Sequence, residues 1–111
     1  KVVVTQVVPY LNNTDLPLIK KYKRAMKKYQ HDAALSFASL EGFIAGKLFA
    51  KIALAVKGVL TKEKFISTME EVGVFHLGGL TLEFGPDDHQ GMDTVYLSEI
   101  YPTVQRLQDD K

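Results

Sequence analysis

Valine occupies positions 2, 3, 4, 7 and 8, with only Thr5 and Gln6 between them. A β-branched run of this kind predicts a strand over 2–8 buried on both faces, as in a parallel sheet. Turn formers dominate residues 9–15, which predicts a loop. The apolar period then becomes helical. Leu18, Ile19, Tyr22, Ala25, Met26 and Tyr29 form one stripe, predicting a helix over 16–30. Thr14 or Asp15 is its expected cap, and Pro17 falls in the first turn, where a missing N–H is harmless. A second helix is predicted over 39–57, capped by Ser36 or Ser39, with Leu40, Phe43, Ile44, Leu48, Ile52, Ala55 and Val56 facing inward. Gly42 and Gly46, with Ala45, Ala50 and Ala53, are expected to let this helix lie close against a sheet or another helix. Gly58 ends it. Thr61 caps a third helix running to about residue 72, and Leu60 and Phe65 match a hydrophobic staple. Phe65, Ile66, Met69 and Val72 give its inner face, and Gly73 stops it.

Beyond that glycine the period changes to two. Leu80, Leu82 and Phe84 alternate with Thr81 and Glu83, predicting a half-buried strand. Gly78-Gly79 just before it is expected to mark a bulge, a bend or a hinge. Val95 and Leu97 fall in a further short strand, with Tyr96 on the opposite face. The terminal PTVQRLQDDK is polar and expected to fray. The architecture that follows is α/β: three helices, with the valine strand and the late short strands forming a partial sheet.

Composition adds limits. The 111 residues make one domain at most, and 46% apolar with 24% charged residues is ordinary globular composition. With a net charge of +1 there is no global field toward nucleic acid or membrane. No cysteine is present, which excludes disulfides, thiolate metal sites and thiol nucleophiles. One local charge feature stands out. Lys20, Lys21, Lys23, Arg24, Lys27 and Lys28 cover the polar face of the first helix with no acid between them. Such a face suits phosphates, but nucleic-acid recognition also wants exposed aromatics, and both tyrosines of this helix lie on the stripe read as buried. A solvated face is therefore expected, with no nucleic-acid partner. Glu41, Lys47, Lys51 and Lys57 interrupt the apolar run of the second helix, so its small-residue step is not a membrane span. The chain also opens directly on a strand, with no basic, apolar and small-residue leader before it. It is read as a fragment or a segment cut from something longer.

Catalytic chemistry finds little support. In TLEFGPDDHQG, residues 81–91, two aspartates and a histidine are adjacent, yet three consecutive residues do not readily converge on one ion, and His31 and His76 lack ligand spacing with His89. The expected arrangement is a turn capped by an aspartate, with His89 packing or bonding locally. No nucleophile elbow surrounds Ser36, Ser39, Ser67 or Ser98, and no glycine-rich phosphate loop is present. Glu70-Glu71 closes a helix against its dipole and reads as solvated surface. No enzyme, metal or cofactor is expected.

Several segments in order carry a resemblance. TQVVPY, KKYKRAMKKY, SFASLEGFIAGKLFAKIAL, LTKEKFISTMEEV and LGGLTLEFGPDDHQGMDTVYLSEI together resemble the C-terminal part of type I periplasmic binding proteins, the solute receptors of branched-chain amino acid ABC transporters. That family's ending has T-Q-x-x-P, K-x-Y, S-x-x-x-L-E-G-Y, L-T-x-E-x-x-I and G-G-x-x-x-F-S-P-x-D-H-Q-G. Phe43 here replaces the tyrosine after E-G, and Gly85 stands where serine is common. The likeness covers nearly all of the chain.

The resemblance implies that residues 1–111 are the C-terminal portion of a two-lobe receptor, an incomplete three-layer lobe. Pro86, Asp88, His89, Gln90 and Gly91 become a family signature in a connection between late strands, with no metal. Thr5, Gln6 and Pro9 fall where the family's chain crosses between lobes, and Gly78 and Gly79 fall at another crossing, so these are the expected hinge residues. Phe37 and Ser39, at the start of the second helix, are the expected ligand-binding residues. The implied function is capture of an amino acid or related solute for an ABC permease, in the periplasm, after export by a signal peptide. A metabolite-sensing or protein-interaction domain on the same lobe is the alternative. Self-association through the valine strand is expected if its neighbours are missing.

Overall fold

The helical stripes and the period-two segments fold in the order β1 (Val2–Gln6), α1 (Pro17–Tyr29), α2 (Phe37–Ala55), α3 (Lys62–Val72), β2 (Val74–Leu77), β3 (Leu80–Glu83) and β4 (Tyr96–Ile100). The computed structural model describes residues 2–100, so the polar tail expected to fray lies outside the described residues. Three helices and short strands make a partial α/β lobe.

The helix ends show what the sequence supplies locally and what the fold supplies from a distance. Pro17 does open α1, but neither Thr14 nor Asp15 caps it; Leu16 is the N-cap and offers no side-chain acceptor. The Leu18 N–H donates instead to Gly78 O at 3.0 Å, so a distant carbonyl satisfies one of the orphan donors of the first turn. At α2 the cap is Ser36. Ser39 N donates to Ser36 Oγ at 3.1 Å, and Ser36 N reaches back to Ser39 Oγ at 3.3 Å, a reciprocal capping box. For α3 the expected cap and stop both form. Lys64 N donates to Thr61 Oγ1 at 3.1 Å, and Gly73 at φ +73° returns its N–H to Met69 O at 3.0 Å.

The strands pair as two separate ribbons. β1 and β4 run antiparallel with Val4 opposite Ser98, and β2 and β3 run antiparallel with Leu77 opposite Leu80. Gly78 and Gly79, at φ +56° and +95°, are the two-residue turn between β2 and β3. Two successive positive φ values match the twist of a tight hairpin, which is why a glycine pair sits here. The strand before the pair, Val74–Leu77, is too short to stand out from its helix stop in the sequence.

The core gathers Leu18, Ile19 and Tyr22 of α1, Leu40, Ile44 and Ile52 of α2, Met69 of α3, and Phe75, Leu77, Leu80 and Leu82 of the hairpin. Tyr22 meets Phe43 edge-on at 5.7 Å between ring centroids, and Phe49 stacks on Phe65 at 5.1 Å. Each fully buried aliphatic or aromatic side chain contributes roughly 1.5–3 kcal/mol.

Several expected burials are corrected. β1 is not buried on both faces: Val2, Val3 and Val7 are more than half exposed, and of the valines only Val8 is buried. β1 has a single strand neighbour among the described residues, so most of its apolar surface meets nothing. In β4 the faces are reversed from the expectation. Ser98 is buried and Tyr96 half-buried, while Leu97 is exposed and Val95 precedes the strand. Tyr29 ends α1 exposed, beneath the Lys28 ammonium, because no described residue covers the last turn. Ala55 is exposed, and so are Ile66 and Val72 on α3, leaving Met69 as its buried residue. A Cβ at Gly42 or Gly46 would meet nothing within 4 Å, so no close helix contact is made there. Among the described residues, exposed large apolar side chains, Leu54 at 87% and Val59 at 74% among them, outnumber those in the core.

Candidate functional cleft

β1 and the first turns of α2 enclose a cleft of about 470 Å³, within the size range of small-molecule sites. Thr5 and Gln6 line it from the strand, Val7 and Val8 from the segment that follows, and Phe37, Ala38 and Glu41 from the helix; Val95 closes one side. Most of the wall is apolar.

The helix start is fixed from three directions. Ser36 and Ser39 hold each other, and the Tyr22 hydroxyl bonds to both. Ser36 N donates to Tyr22 Oη at 3.2 Å, Tyr22 Oη lies 3.3 Å from Ser36 O, and it also pairs with Ser39 Oγ. Tyr22 is fully buried, so α1 anchors the α2 N-terminus rigidly to the core. Phe37 is the first helical residue, half-buried and packed against the core cluster. The Ser39 and Leu40 amides are taken by Ser36, whereas those of Phe37 and Ala38 have no acceptor among the described residues. They bring the partial positive charge of a helix N-terminus to the cleft wall.

On the strand side, Gln6 Nε2 donates to Ser98 Oγ at 3.0 Å, and its Oε1 is buried without a partner among the described residues. A buried acceptor without a donor is rare and calls for a chemical reason. Glu41 adds a carboxylate. Sequence reasoning missed it, although its position one turn after Phe37 puts the two on one helix face.

The cleft therefore unites Phe37 with Thr5 and Gln6. Ser39 does not line it and belongs to the capping box. Pro9 is fully buried just beyond the strand. Gly78 and Gly79 lie away from the cleft, in the hairpin turn that docks on the start of α1.

The acidic turn is organised locally, with one longer tie. Gly85 and Asp88 exchange backbone hydrogen bonds at 2.8 and 3.2 Å, and Asp88 Oδ1 accepts from Gln90 N at 2.9 Å. His89 reaches beyond its neighbours: its Nε2 lies 2.8 Å from Glu70 Oε1 on α3. Glu70 is thus a structural partner with a side chain only 25% exposed, not the solvated surface expected of it. Among the described residues no three histidine or acidic side chains converge as metal ligands, and no helix is long and apolar enough to cross a membrane.

Residues 3–103 match the family model described as periplasmic binding protein. Among solved structures, the chain is similar to a possible leucine/isoleucine/valine-binding protein from Rhodopirellula baltica SH 1, with TM-score 0.80 and 39% identity over 86% of this chain and 26% of that one. It shares its fold with an extracellular ligand-binding receptor from Verminephrobacter eiseniae ef01-2, with TM-score 0.74 and 23% identity over 86% of this chain and 27% of that one. The chain spans about a quarter of the length of these receptors. No curated protein matches it.

Proposed function

Because this chain belongs to the periplasmic binding protein family, we propose that it supplies one wall of a solute receptor's cleft. In this reading residues 1–111 are the C-terminal portion of a two-lobe protein of the periplasm or cell exterior. The solute is an aliphatic amino acid or a close relative, delivered to an ABC permease, and no covalent step is involved. The observation that carries the reading is the cleft between β1 and α2. Its apolar wall of Val7, Phe37 and Val95 suits an aliphatic side chain. The free amides of Phe37 and Ala38 suit a carboxylate, and the exposed Glu41 carboxylate suits an ammonium group. Thr5, Gln6 and Pro9 are assigned to an interlobe crossing, whereas Gly78-Gly79, as the tight β2–β3 turn seated on α1, are not. The leucine/isoleucine/valine-binding neighbour supports the choice of solute.

The full-length product that carries this segment is the material for the test. Titration calorimetry should give micromolar affinity for leucine, isoleucine or valine, about −8 kcal/mol. Phe37→Ala should weaken it about 30-fold, the loss expected from about 2 kcal/mol of aromatic contact. Glu41→Gln should weaken it about tenfold by removing a charge-assisted acceptor. Unchanged affinity in both variants rules out this cleft as the solute site.

A further inference from the structure

Away from that cleft, Lys21 of α1, Lys47 and Lys51 of α2 and His76 of β2 line a second, much smaller cavity of about 50 Å³, beside Leu18 and Gly78. No carboxylate lines it, and none among the described residues pairs with any of the three lysines. Lys47 and Lys51 are one helical turn apart, a spacing at which like charges repel. Lys21 brings a third charge from a different helix.

Three of these side chains are held in place. Lys51 Nζ donates to His76 O at 2.7 Å, which leaves its other N–H donors for a ligand. Lys47 Nζ lies over the Phe43 ring, 5.4 Å from its centroid. His76 is tethered through Nδ1 to Thr81 Oγ1 at 3.2 Å, so its Nε2 is the ring nitrogen without a partner among the described residues. The cavity exceeds the roughly 10–15 Å³ that one water needs on the same measure and takes one small polyatomic group. Ammonium groups arriving from two helices are best matched by an anion with several separate oxygens. The neighbouring α1 face, with Lys20, Lys23, Arg24, Lys27 and Lys28, adds a positive field that raises local anion concentration.

We propose that this cavity is an anion site that takes one free oxyanion of phosphate size, independent of the amino acid cleft. The test is an NMR titration of the full-length product that carries this segment with inorganic phosphate at constant ionic strength, with chloride making up the balance. Saturable shifts are expected at the amides of residues 76–78 and 47–51. The Lys21→Gln/Lys47→Gln double variant leaves the Lys51–His76 bond intact and should bind at least tenfold more weakly. The Lys20→Gln/Arg24→Gln variant removes equal charge outside the cavity and should bind within about twofold of the original chain. Non-saturating shifts, an equal response to chloride alone, or equal losses in the two double variants would each overturn the site.

Discussion

Gly78 carries two constraints at once. Its φ of +56° lies in the left-handed region, and a Cβ there would sit 2.6 Å from the Leu18 backbone nitrogen. That nitrogen donates to the Gly78 carbonyl, so the hairpin turn and the start of α1 touch backbone to backbone. Gly78→Ala is expected to destabilise the chain by about 2–3 kcal/mol, since both the dihedral and the contact must give way. Gly42→Ala and Gly46→Ala should do the opposite, adding up to about 1 kcal/mol each, because both glycines sit inside a helix with open space around them. Urea melts of the three variants check the contrast, and a neutral Gly78→Ala would refute the backbone contact. The sequence made all three glycines visible but not which of them is crowded. Close approach belongs to the tertiary fold, and a small-residue spacing alone does not reveal it. The same limit explains Tyr29: it shares a stripe with Tyr22, but only Tyr22 has α2 above it.

Helices were legible at the element scale because their signals are local. The Ser36 cap, the Thr61 cap and the Gly73 stop all follow from residues within a turn of the helix end. The α1 cap was not legible, because its partner, Gly78 O, lies far along the chain. The same holds for Tyr22, whose hydroxyl joins the α2 capping box from another helix. Ser36→Ala should cost about 1 kcal/mol as a lost N-cap. Tyr22→Phe should cost about 1–1.5 kcal/mol by removing a buried hydroxyl from its partners. The two effects should not add, since they break one network; a double-mutant cycle giving coupling below about 0.5 kcal/mol would place the groups in separate interactions. β1 was recognisable as a strand from its valines. Its burial was misread because residue types report what a strand wants to meet, not whether the neighbour is there.

At the scale of the molecule, the exposed faces of β1 and β4 and the outward apolar residues of α2 and α3 leave a large uncovered surface. The β1 edge opposite β4 has no strand partner among the described residues, and such an edge pairs readily with another copy. The isolated 111-residue chain is therefore expected to associate. Light scattering at micromolar concentration should show a dimer or larger species; a monomer with a cooperative melt would mean that these residues close their own core.

The central claim is that the β1–α2 cleft is one wall of a site completed by the rest of a receptor. Calorimetric titration of leucine into the 111-residue chain, beside the same titration of the full-length product, tests it most directly. A cleft that gains its second wall only in the longer protein binds in the micromolar range there, and no better than millimolar, about −4 kcal/mol, in the short chain. Micromolar binding of leucine by residues 1–111 alone would contradict the account.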